Sequence, residues 1–194
     1  MGRWEPNARG RLAQAALTLY VAQGYEQTTA AEIARLAGLT ERTFFRHFAD
    51  KREVVFYGAD SMRDILVRAV ADAPPAAGPL DAVGAALRVA GETVQENSEL
   101  ARLRNTVVSA NPELRERELT KHAELAAAIA GALRDRGVHE PAASLAAEMG
   151  LVVYRVAFAR WIADPGQPDL PAILQESLEE VRAVLADRLV TVRR

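Results

Sequence analysis

Cysteine is absent from the 194 residues, which excludes a disulfide framework, a thiol nucleophile and a thiolate metal site. Histidine is scarce: His47, His122 and His139 lie far apart and fit no metal-ligand spacing. No serine stands in a nucleophile elbow, and no glycine-rich phosphate loop occurs. Catalysis has little to rest on, and no catalytic residue, cofactor or metal is expected. Long apolar runs are missing too. The longest, residues 125–133, falls far short of the roughly 20 residues a membrane helix needs. The opening MGRWEPNARGR is charged and has no apolar core, so no secretory signal is expected. A soluble, cytoplasmic protein with no membrane partner follows as the expectation. β-branched runs are short and scarce, while 49% of the residues are apolar, much of that alanine and leucine. This balance favours helix over sheet.

What is present is concentrated in residues 28–56, TTAAEIARLAGLTERTFFRHFADKREVVF. Thr29 with Glu32 three residues on has the pattern of a capping box, and predicts a helix over 30–37. Gly38 can end it in the left-handed conformation. Thr40 is the next cap, with Leu39 and Phe44 at the two positions of a hydrophobic staple. Asp50 and Glu53 repeat the capping pattern for a further helix. Two short helices joined by a tight glycine turn are the parts of a helix-turn-helix.

Within the second helix, 41–47, Phe44 and Phe48 form an i, i+4 pair that must face a core. Arg42 with Arg46, and Thr43 with His47, fall roughly opposite. Their donors suit phosphates and the acceptor edges of guanine, and Glu41 can accept from a cytosine amino group. The same spacing also fits an ordinary helical hairpin with a solvated charged face. Charge distribution bears on the choice. Residues 1–52 hold eight Lys/Arg against five Asp/Glu, a balance of +3, so with −2 overall the remainder carries −5. A basic head on an acidic body is expected where one end meets phosphate.

Residues 9–66 closely resemble the DNA-binding domain of TetR-family transcriptional regulators. The matching pieces are Gly24-Tyr25, Thr28-Thr29, Glu32-Ile33-Ala34, Ala37-Gly38-Leu39-Thr40, Thr43 through Phe48, and Lys51 followed by Glu53-Val54. The resemblance implies an all-α, nine-helix TetR-like fold. Residues 1–66 would be a three-helix helix-turn-helix DNA-binding domain, its motif at about 29–48. Residues 67–194 would be a helical ligand-binding and dimerisation domain. By matching position, Thr29, Thr40, Phe45 and Lys51 fall where the family contacts phosphates, and Glu41, Arg42, Thr43 and His47 where it reads bases. Arg46 joins them through its outward pairing with Arg42. Phe45 departs from the family, which often has tyrosine there. It lacks the hydroxyl a phosphate would use, leaving packing or a thymine-methyl contact.

Elsewhere the pattern predicts helices over 8–23, 51–72, 80–96, 98–110, 112–136, 140–163 and 170–189. The Ala73 to Pro79 segment is the clearest linker. On the long helix 112–136, Glu118 and His122 continue the apolar stripe of Leu114, Leu125, Ile129 and Leu133. Polar groups on such a stripe either leave the core or line a cavity. Leu103, Asn105, Thr106, Glu118, His122, Ile129 and Tyr154 are the candidate effector-pocket residues. Helices 140–163 and 170–189 carry more apolar surface than one small domain needs, with Ala146, Ala147, Gly150 and Ala157 permitting close approach. The resemblance implies that they form a homodimer interface, whereas the residues alone allow a purely intramolecular contact. The expected function is a repressor-type regulator of a double-stranded DNA operator, released by a small, largely apolar effector. Two alternatives remain: a small-molecule-binding or enzymatic helical protein whose head no longer binds DNA, and a protein–protein module.

Overall fold

The computed structural model describes residues 7–164, 166 and 169–186, and among these every regular element is an α-helix. There are ten: α1 Ala8–Gln23, α2 Ala30–Leu36, α3 Glu41–His47, α4 Lys51–Val55, α5 Ala59–Ala71, α6 Pro79–Glu96, α7 Ser98–Ala110, α8 Pro112–Asp135, α9 Ala142–Ala163 and α10 Leu170–Leu185. Nine were expected. The extra one arises because the helix anticipated over 51–72 is broken. Phe56 leaves helical geometry, and Gly58 takes a φ of +92° that a side chain would resist. The last expected turn, 187–189, lies outside the described residues.

The chain divides into two compact units. One comprises the residues up to Asp60 together with Ser98–Lys121; the other comprises Ser61–Asn97 and the described chain from His122 onward. The head is therefore not continuous in sequence, since α7 and the first half of α8 join α1 to α4. Its core gathers Leu12, Ala16 and Tyr20 of α1, Ile33 of α2, Phe44 and Phe48, Val54 and Val55 of α4, Val107 and Val108 of α7, and Leu114 of α8. Three arginines tie α4 to the added helices. Arg52 pairs with Glu113 at 2.8 Å, and Arg117 with Glu53 at 2.9 Å. Arg104 donates to the Val55 carbonyl and to Glu118, and its guanidinium lies over the Phe56 ring.

In the second unit α6, α9 and α10 pack together, burying Val83, Leu87, Leu151, Trp161, Leu174 and Leu178. Glycines set the spacing. A Cβ on Gly91 would lie 2.6 Å from Leu174 Cδ1 and 3.3 Å from the Pro171 backbone, and one on Gly150 would lie 2.4 Å from Val83 Cγ1. The small-residue face of α9, with Ala146, Ala147, Gly150 and Ala157, is thus used within the chain. Arg136 donates to the carbonyls of Ala71, Ala73 and Pro74, satisfying the end of α5. α9 is also long and apolar enough, at a mean hydropathy of 1.4, to cross a membrane by length and composition. One of its faces packs against α6 and α10.

Candidate nucleic-acid interface

The head is assembled from caps outward. Thr29 Oγ1 accepts from the Glu32 amide, and the Thr29 amide donates to Glu32 Oε2 at 2.9 Å, closing the reciprocal box at the start of α2. Hydrogen bonds donated by the Thr29 amide and hydroxyl hold the Glu32 carboxyl below its ordinary pKa. Gly38 turns the chain at a φ of +68°. Thr40 then caps α3, accepting from the Thr43 amide, while its hydroxyl pairs with that of Thr43 at 3.0 Å. Asp50 caps α4 through the amides of Arg52 and Glu53. Burial opposes its ionisation, but hydrogen bonds from the Arg52 side chain and from the two amides prevail and lower its pKa.

With α3 started at Thr40, its faces separate as the i, i+4 pattern requires. Phe44 and Phe48 are buried, their rings 5.8 Å apart. Glu41, Arg42 and Arg46 are exposed, and the two arginines take no hydrogen-bond or ion-pair partner among the described residues. Thr43 is half-buried under its bond to Thr40. Phe45 is exposed. His47 is half-buried, with Nε2 enclosed and without a hydrogen-bond partner. Desolvation, with Arg46 and Arg9 adding to it, lowers its pKa, so the ring is neutral near pH 7. Arg9 itself lies over the rings of Phe48 and Tyr57.

Lys51 has an internal occupation that sequence reading missed. Its Nζ donates to the Tyr25 carbonyl at 2.9 Å, the Glu26 carbonyl at 3.1 Å and the Thr28 carbonyl at 3.4 Å, and sits 4.5 Å from the centre of the Tyr25 ring. An ammonium has three N–H donors, and all three have a carbonyl within reach. Tyr20 completes the brace, donating from its hydroxyl to the Lys51 carbonyl and meeting Tyr25 edge-on at 5.1 Å. No local pattern announces this arrangement, because 26 residues separate Lys51 from Tyr25.

The residues suggested for an effector pocket divide between the units. Leu103, Asn105, Thr106 and Glu118 belong to the first; His122, Ile129 and Tyr154 belong to the second. Glu118 is held by Arg104, and the Thr106 hydroxyl donates to the Arg102 carbonyl. Ile129 is fully buried, and Tyr154 stacks on Phe158 at 5.7 Å. The second unit also carries an apolar groove of about 230 Å³ on the outer side of α9 and α10, lined by Met149, Val152, Val156, Val181 and Val184 among others.

Within the head, α2, a glycine turn and a short α3 capped at its N-terminus, with an exposed cationic face, define a helix-turn-helix protein. Residues 12–58 match the model of bacterial regulatory proteins, tetR family, and residues 77–186, over half the chain, match the MftR C-terminal domain. The chain belongs to the TetR family of transcriptional regulators, which is not a family of enzymes. The HTH-type transcriptional regulator TcmR of Streptomyces glaucescens is 40% identical over 80 residues, covering 41% of this chain and 35% of that relative. The match thus spans about a third of the curated relative's length. Two solved structures extend the likeness along the chain. The TetR-family repressor FadR of Thermus thermophilus, in complex with lauroyl-CoA, has a TM-score of 0.56 at 24% identity, over 96% of this chain and 97% of its own. SmeT, the repressor of the Stenotrophomonas maltophilia multidrug efflux pump SmeDEF, has a TM-score of 0.64 at 21% identity, over 91% and 89%. At these identities the likeness is one of fold.

Proposed function

We propose that the chain is a cytoplasmic transcriptional repressor that binds a near-palindromic operator as a homodimer and is released by a small, largely apolar effector. The observation that carries this reading is α3: Arg42 and Arg46 stand exposed, with no partner among the described residues, on a helix capped at its N-terminus by Thr40. Seven residues rise about 10 Å, enough for entry into a major groove. Thr29 and Thr40 are assigned to phosphates, with Glu41, Arg42, Thr43 and His47 at the bases. Arg42 and Arg46 supply most of the charge. Lys51, already bonded to three carbonyls, contributes to DNA binding chiefly by holding α4 against the loop before α2. Dimerisation is assigned to the outer faces of α9 and α10, which remain apolar after α6 is packed.

For the effector, the second unit supplies the candidates His122, Ile129 and Tyr154. Support for an apolar molecule comes from relatives of the same fold solved with lauroyl-CoA and with triclosan. The competing reading is a helical small-molecule-binding protein whose head does not meet DNA, and the net charge of −2 favours it. Electrophoretic mobility shift with the DNA flanking the coding region separates the two. A salt-sensitive, sequence-selective shift is expected. Its absence on flanking DNA and on a random-sequence library would leave the competing reading.

A further inference from the structure

The reading helix carries one large apolar side chain that the head's core does not use. Phe44 and Phe48 are buried, at 0% and 4% exposure, while Phe45 between them is 54% exposed. At 100° per residue, Phe45 stands 100° from Arg46 and 60° from Arg42 around α3, on the border of the cationic face. Its inner edge meets the Phe44 ring edge-to-face, with centroids 5.3 Å apart at 83°. The buried ring thus braces the exposed one before any partner arrives. Phenylalanine has neither donor nor acceptor, so phosphate oxygens gain no hydrogen bond from it. In the major groove the apolar group presented by a base edge is the 5-methyl of thymine.

Resting on the reading of α3 as DNA-contacting, we infer that Phe45 is a specificity residue that packs on a thymine 5-methyl beside the positions taken by Arg42 and Arg46. The exposure decides between the two roles open to a ring without a hydroxyl. Packing within the head is already supplied by Phe44 and Phe48, and more than half of the Phe45 side chain remains for a partner. The inference differs from a phosphate role in consequence: a phosphate contact is blind to sequence, whereas a methyl contact distinguishes thymine from cytosine.

Random-sequence selection with the full chain supplies a bound duplex, in which each thymine is then replaced singly by deoxyuridine. That exchange deletes the methyl and leaves the hydrogen-bonding edges unchanged. At one thymine of the site, binding is expected to weaken about fourfold, the effect of one uncovered methyl. In Phe45→Ala the same position becomes indifferent, while Arg42 and Arg46 still confer binding. Phe45→Tyr keeps the ring and keeps the discrimination. A parent chain indifferent to deoxyuridine at every position would overturn the inference without recourse to any variant. So would Phe45→Ala that retains the parent's discrimination, or that loses affinity equally for every duplex as a sugar contact would. If no duplex were recovered at all, the regulator reading itself would fall, and this inference with it.

Discussion

Arg42 and Arg46 illustrate how a side chain can be cheap for the fold and decisive for binding. Both are exposed and have no partner among the described residues, so truncation removes charge without opening the core. The Arg42→Ala, Arg46→Ala double variant is expected to bind operator far more weakly. Its log–log salt slope should be shallower by about one unit per lost phosphate contact. Circular dichroism and thermal melting should be unchanged, and a variant that binds like the parent would end the assignment. His47, one residue beyond Arg46, also bears on stability. Desolvation and two nearby arginines lower its folded-state pKa, so above its ordinary value of 6.5 it is neutral in both folded and unfolded chains. As pH falls below that value the unfolded chain takes up the proton first, and stability is lost as pH passes down through the folded pKa. His47→Gln is therefore expected to lose less thermal stability than the parent between about pH 7.5 and about pH 5.5. Parallel losses would show that the ring is not the responsible group.

At the scale of helices, glycine separates two situations that look alike in sequence. Gly131 and Gly150 both lie inside long helices, where alanine is better by roughly 1 kcal/mol. A Cβ on Gly131 meets only the far end of Arg134, at 3.7 Å. One on Gly150 meets Cγ1 of Val83 at 2.4 Å, a fully buried and β-branched residue with little freedom to move. Overpacking of that kind costs about 1–3 kcal/mol, which outweighs the propensity gain. Urea denaturation of the full chain should find Gly131→Ala more stable than the parent by about 0.5–1 kcal/mol. Gly150→Ala should be less stable, by on the order of 1 kcal/mol. Two shifts of the same sign would refute the proposed α6–α9 spacing. Gly58 makes a different point: its left-handed φ divides α4 from α5, so no continuous helix runs through 51–72. Two helices contribute residues to both packing units: α5, by its first two residues, and α8, which divides after Lys121.

For the whole molecule, the question is what covers the outside of α9 and α10. Leu145, Val152 and Val156 on α9 are 65%, 37% and 48% exposed, and Val184 and Leu185 on α10 are 74% and 64% exposed. With Met149 the α9 residues fall at i, i+4, i+7 and i+11, one stripe opposite the face that packs on α6. Contiguous apolar surface of this kind marks an association site. A two-fold dimer through this face would carry two heads and call for an operator of inverted symmetry, with half-sites about 34–36 Å apart or at a wider interval. Light scattering should give a dimer at micromolar concentration, and Val156→Glu a monomer that still melts cooperatively. A monomeric parent would contradict the assignment. Effector and operator must also be linked reciprocally. A factor of 10 to 100 in operator affinity corresponds to about 1.4–2.8 kcal/mol of coupling, and the effector must bind more weakly by the same factor when operator is present. Equal effector affinity with and without DNA would mean a body that binds without signalling.

Sequence by itself determined whatever depends on neighbours within about four residues. The caps at Thr29, Thr40 and Asp50, the turn at Gly38, the core side of Phe44 and Phe48, and the outward face of Arg42 and Arg46 all follow from helical periodicity and local hydrogen bonding. Tertiary structure decided what depends on groups that only folding brings together. Lys51 spends its ammonium on carbonyls of residues 25, 26 and 28, and Glu118 is taken by Arg104. α7 and half of α8 belong to the head, because Val107, Val108 and Leu114 complete a core that α1 to α4 leave open. The small-residue face of α9 is filled by Val83 from within the chain, and the apolar stripe left outward is the opposite one. Periodicity reports that a helix has an apolar face. Which partner covers that face depends on distances through space, and those are fixed only when every helix is in place.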